Sequence, residues 1–143
     1  MSDNASSVAA SPSAVTADGQ NTAKFSIGID LGTTHCALSF VDKTASDGEN
    51  VVQHVLDIPQ LTAPASVEAK PLLPSFVYLP HDSELTEADK ALPGAPSRDF
   101  SVGEFARSRG AATPIRLVSS AKSWLCHPGV DRRAGILPTD APE

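Results

Sequence analysis

Apolar and polar side chains begin to alternate at Phe25. Phe25, Ile27, Ile29 and Leu31 take every second position, and after a short break the alternation resumes through Cys36, Leu38 and Phe40. A period of two marks strands, so residues 25–31 and 35–41 are expected to form a hairpin. Residues 51–58 (Val-Val-Gln-His-Val-Leu-Asp-Ile) read as a third strand, antiparallel to the second, after a polar turn over residues 43–50 containing Asp47-Gly48. Residues 59–74 are punctuated by prolines and read as a loop. Residues 75–79 read as a short strand, 80–96 as a long acidic surface insertion, and 99–102 as another short strand. Residues 104–109 read as a short helix closed by Gly110.

The pattern then changes to a helical period. Thr113 suits an N-cap and Pro114 a first helical position. Ile115, Leu117, Val118, Ala121, Trp124 and Leu125 fall on one arc, with Arg116, Ser119, Ser120 and Ser123 opposite, so one helix is expected up to Pro128-Gly129. Lys122 falls inside the apolar arc, where an ammonium must find a partner, lose its proton or reach out to water. Residues 1–23 are rich in Ser, Ala, Thr, Asp and Asn without apolar periodicity, and are expected to be a disordered tail.

Composition narrows the function classes. At 143 residues the chain is large enough for one domain at most. The net charge of −6 is scattered and leaves no basic stripe for nucleic acid. No apolar run is long enough to cross a bilayer, so no membrane partner is expected. The N-terminus carries neither the basic nor the apolar region of a secretory signal, and its first arginine is Arg98, so a cytoplasmic protein is expected. Cys36 and Cys126 form no disulfide framework. Cys36 reads as a small core residue on its strand; Cys126-His127 has no second pair at metal-ligand spacing. His54 and His81 stand alone and receive no role.

The break between the first two strands carries candidate chemistry. Asp30 ends a strand, Gly32 allows a sharp bend, and Thr33-Thr34 supply two hydroxyls. Successive amides in such a turn attract phosphate oxygens, and a carboxylate at the strand end can hold Mg²⁺. An ordinary hairpin turn uses the same residue types. A Walker A loop needs a glycine-rich run with lysine before a helix, which is absent here. His35 flanks the turn and reads as a surface or packing residue.

Ile27-Gly28-Ile29-Asp30-Leu31-Gly32-Thr33-Thr34 resembles the first phosphate motif of the actin-like ATPases, specifically the heat shock protein 70 (DnaK-like) chaperones. Three later segments resemble that family in the same order: Leu73-Pro74-Ser75-Phe76-Val77-Tyr78-Leu79, Ser101-Val102-Gly103-Glu104-Phe105-Ala106, and Ser120-Ala121-Lys122-Ser123-Trp124-Leu125. The likeness covers residues 25–130. His35, Ser123-Trp124 and His127-Pro128-Gly129 depart from the family pattern and suggest a divergent bacterial branch.

The resemblance implies an α/β fold, the ribonuclease-H-like (actin-like ATPase) first lobe, incomplete and beginning with a three-stranded antiparallel β-meander. Residues 24–143 would be the N-terminal part of a nucleotide-binding domain. ATP/ADP and Mg²⁺ are the implied cofactors, with Asp30 on the metal, Gly32, Thr33 and Thr34 cradling phosphates, and Lys122 at the γ-phosphate as the catalytic cation beside Asp30. The implied partners are unfolded client polypeptides and co-chaperones. The family's Asp-x-Gly-Gly-Gly-Thr run is absent from this sequence. The chain is therefore expected to be an N-terminal portion of a longer chaperone, marginally stable and without useful ATPase activity by itself. Sugar kinases share an Asp-x-Gly-Thr turn but usually lack the Pro-Ser strand and the Ala-Lys segment. An inactive truncated fragment is the third reading.

Overall fold

The computed structural model describes residues 23–45, 50–96 and 98–137. The chain is a mixed α/β structure, mostly strands with three short helices. β1 (Phe25–Leu31) and β2 (His35–Asp42) pair antiparallel, with Phe25 opposite Asp42 and Leu31 opposite Cys36. β3 (Gln53–Val55) lies on the other side of β2, with Phe40 opposite His54. This is the expected meander, with a shorter third strand than residues 51–58. Opposed residues share a face. Ile27, Ile29, Leu38 and Phe40 therefore lie on an apolar side, and Gly28, Asp30, Ala37 and Ser39 on the reverse. Asp47-Gly48 and the expected tail up to residue 22 lie outside the described residues.

Three segments fold differently from expectation. Residues 59–74 are not a loop: β4 (Ile58–Ala63) and β5 (Ser66–Lys70) form a hairpin, and β6 (Leu73–Pro74) joins β2. Pro59 is tolerated because β4 has a free edge, where a missing amide costs no ladder bond. The first helix, α1, runs over Glu104–Ala112, so Gly110 lies inside it. Gly110 lets another strand approach: a Cβ there would sit 2.3 Å from Leu117 Cδ1. The single helix expected over residues 114–125 is divided. Pro114–Arg116 is one 3₁₀ turn, β9 (Leu117–Ser119) is a strand, and α2 spans only Ala121–Leu125. β9 pairs with β7 (Phe76–Tyr78), whose other side takes β8 (Ser101–Val102). The backbone bonds of that pairing replace helical ones, and Ser120, with φ 52°, redirects the chain into α2.

The core sits where α1 packs against β4 and β7, with Leu61, Tyr78, Phe105 and Ala106 buried. Buried Gln60 is hydrogen-bonded at both ends of its amide. Its Nε2 donates to the Leu72 carbonyl at 2.9 Å, and its Oε1 accepts the Glu104 amide at 3.0 Å, at the start of α1. That position does for the helix what a capping side chain does.

Residues 80–96 are acidic, as expected, and are tied back to this core. The Tyr78 hydroxyl donates to both carboxylate oxygens of Glu84 at 3.0 and 2.9 Å, and Arg109 Nε donates to the same carboxylate. Burial pushes the Glu84 carboxyl up, but its bonds from Arg109, Tyr78 and the His81 amide hold it below its usual 4.5. Burial and the facing Glu84 raise the Tyr78 phenol above 10.0.

The two shifts act at opposite ends of the pH scale. Glu84 stabilises the fold above pH 4.5, and that contribution disappears as pH falls through the lowered value. The Tyr78 contribution is complete below pH 10.0 and is lost as pH rises through the raised value. Thermal unfolding across pH should therefore show an acid and an alkaline fall. Glu84→Gln should flatten the acid fall and cost about 1–2 kcal/mol at neutral pH; an undiminished acid fall in that variant would assign it to other carboxylates.

Candidate functional site

Gly32, Thr33 and Thr34 connect β1 to β2 in a bend that only glycine can make. A Cβ on Gly32 would lie 2.2 Å from the His35 carbonyl oxygen, far inside contact distance. The carbonyls around the bend are held from the protein side. Ser75 Oγ donates to the Gly32 carbonyl at 2.9 Å, and the Ser75 amide donates to the Thr34 carbonyl at 2.9 Å. Lys122 Nζ donates to the Leu31 carbonyl at 2.7 Å, across 91 residues of sequence. Exposed Thr33 makes no hydrogen bond among the described residues. With the Leu31, Gly32 and Thr34 carbonyls occupied and Thr33 unengaged, the bend keeps a free hydroxyl and amide that could meet an anion.

Both anchors trace back to β7. Ser75 is the single residue between β6, which is paired to β2 beside the turn, and β7. β9 pairs with β7 and leads through Ser120 into α2, which carries Lys122. Lys122 is exposed rather than sunk in an apolar arc, because the helix that would have buried it is a strand up to Ser119.

The sequence-predicted residues are only partly brought together. Gly32, Cys36, Ser75, Lys122, Trp124 and Arg132 line one open hollow of about 550 Å³. Asp30 opens into a different hollow of about 360 Å³, with Gly28, Ala37, Ser39 and Gln53. The period of two explains the separation: Asp30 projects from the opposite side of the sheet to Leu31 and Cys36. Thr33 and Thr34 stand exposed at the tip. No group of three metal-ligating side chains occurs among the described residues. A magnesium ion at Asp30 would draw its remaining ligands from water and phosphate, as that ion commonly does.

Several neighbours of the site had no assigned role in the sequence. Ser75 lay within a recognised segment, but a serine after proline at a strand start does not disclose that it binds a turn 43 residues away. Its hydroxyl also lies 3.5 Å from the Cys36 sulfur. Cys36 is half-buried, Cys126 exposed, and His54 stacks on Phe40 with ring centres 5.2 Å apart.

Two substitutions test how the turn is held. Gly32→Ala should destabilise the chain by about 3 kcal/mol, because backbone must move to admit the methyl group. Ser75→Ala should cost about 1 kcal/mol and speed amide hydrogen exchange at Thr33 and Thr34. Exchange unchanged in Ser75→Ala would show that the serine does not hold the turn.

No helix among the described residues is long and apolar enough to cross a membrane. Comparison with protein-family models, with curated proteins and with solved structures gives no match to this chain.

Proposed function

We propose that residues 30–34 are the first phosphate-binding turn of an actin-like ATPase of the DnaK-like kind, with a ribonuclease-H-like first lobe. In this reading the chain contributes to binding and hydrolysing MgATP in a chaperone that acts on unfolded polypeptides with co-chaperones. The observation that carries the reading is the arrival of the Lys122 ammonium at the turn, 91 residues from the carbonyl it touches. An ordinary hairpin turn has no need of a distant cation.

The residues then divide the work. Gly32 lets a phosphate approach the backbone, and Thr33 and Thr34 offer donors to its oxygens. Ser75 holds the Gly32 and Thr34 carbonyls away from the anion. A charged phosphate oxygen is a better acceptor than the neutral Leu31 carbonyl, so Lys122 would transfer to it and stabilise the negative charge that develops in phosphoryl transfer. Asp30 would hold Mg²⁺, which neutralises phosphate charge when bound. Asp30 would hold that ion from the side of the sheet opposite Leu31 and Cys36.

Trp124 is the sole tryptophan and lines the Lys122 hollow, so its fluorescence reports on the site. Titration with MgATP should give a saturable change, and Lys122→Ala and Asp30→Asn should each weaken it about tenfold while leaving the circular dichroism unchanged. No saturable response from the wild-type chain would overturn the nucleotide reading. A normal response from Lys122→Ala would remove that lysine from the site.

A further inference from the structure

Ser101 opens β8 opposite Tyr78 and is 3 % exposed, yet its Oγ has no hydrogen-bond partner among the described residues. A buried hydroxyl left without a partner costs stability, so each instance calls for a physical reason. Ser101 lines a small, largely enclosed cavity of about 10 Å³. Leu61, Leu92 and Phe100 are among its apolar walls, and Lys90 and Arg98 are the charged residues that line it. Its described walls all come from residues 61–102, and none belongs to the β1–β2–β3 sheet or to the turn at Gly32.

The polar side chains around this cavity share one property: all can donate. Lysine and arginine only donate, and a serine hydroxyl can turn its proton inward. The Lys90 side chain is itself buried, at 9 % exposure, and its ion pair at 2.8 Å is with Glu87, whose side chain is 69 % exposed. One carboxylate oxygen does not use up three ammonium hydrogens. Arg98 enters no ion pair among the described residues, and its guanidinium lies 5.7 Å from the centre of the Phe100 ring. A buried water needs acceptors as well as donors, and Ser101 Oγ is the sole acceptor among the described side chains that line the cavity. A halide needs only donors and positive charge. The volume admits about one particle of water size, which excludes phosphate, sulfate and carboxylates.

We propose that this cavity binds a single halide ion, with chloride as the natural case. Ser101 Oγ donates to the ion, and Lys90 and Arg98 supply the compensating charge. A buried charge is tolerated only when it is paired. Two cations set against one halide and the solvent-facing Glu87 meet that condition. The ion satisfies the Ser101 hydroxyl and draws the acidic stretch 80–96, through Lys90 and Leu92, against β4 and β8. The inference is independent of the nucleotide reading, because the site uses none of Asp30, Gly32, Thr33, Thr34, Ser75 or Lys122. Its consequence is a fold whose stability depends on which anion is present as well as on ionic strength.

Urea unfolding of the full 143-residue chain, at one ionic strength with chloride replaced stepwise by gluconate, tests this. Gluconate is too large for the cavity. The wild-type folding equilibrium constant should be about tenfold higher in about 200 mM chloride than in gluconate, as a dissociation constant of about 20 mM requires, and bromide should act like chloride. In gluconate Ser101→Ala should match or exceed the wild type, because it removes an unsatisfied hydroxyl; in chloride it should lack most of the tenfold gain. The chloride NMR line should broaden with the wild type and much less with Ser101→Ala. A wild-type stability that is the same in both salts overturns the proposal. A chloride gain that Ser101→Ala retains overturns the site, since the ion then binds elsewhere. Equal destabilisation of Ser101→Ala in both salts assigns the cavity to a water and overturns the halide.

Discussion

Backbone carbonyls flank the bend between β1 and β2, and left unpaired they would repel any anion brought close to it. Their capture by Ser75 and Lys122 decides what this end of the molecule can do. Occupying the Leu31, Gly32 and Thr34 carbonyls lowers the negative potential at the bend, where Thr33 alone is left without a hydrogen bond among the described residues. Glycine at position 32 is the precondition, because any side chain would strike the His35 carbonyl and open the bend. The same constraint makes the site an assembled one. Ser75 and Lys122 come from segments far along the chain, so the turn acquires its polarity only after β6, β7 and β9 have found their places.

Much of the first sheet was legible because alternation over seven or eight residues leaves little choice. β1 has the bounds its pattern dictates, and β2 extends one residue further. The later elements are two to six residues long, except for α1, and their fates rest on contacts the chain makes elsewhere. Residues 114–125 show why. Leu117 and Val118 suit a helical arc, yet Val118 faces Val77 across a ladder, and that pairing wins because β7 needs a neighbour on that side. The prolines of residues 59–74 suggested a loop for a similar reason. Proline excludes a central strand, but nothing local states that the strand will be an edge.

The candidate site was legible in its parts and not in its arrangement. Asp30, Gly32, Thr33 and Thr34 are contiguous in sequence, and Lys122 does reach them, although by leaving the apolar arc rather than by occupying it. The opposed faces of Asp30 and Leu31 follow from the strand period. What sequence could not supply was Ser75, whose contribution depends on the register of β6 against β2.

Burial is distributed unevenly, and the unevenness bears on the site. The buried residues cluster around α1, β4 and β7, while the β1–β2–β3 sheet leaves its apolar face exposed. The turn thus stands at the end of a sheet with few buried side chains, and its anchors come from the better-buried part of the molecule. One path runs from Tyr78 through β7 to Ser75; the other runs through β9 and α2 to Lys122. Damage at Phe105 or Tyr78 would reach the turn along both paths without touching a residue that faces it.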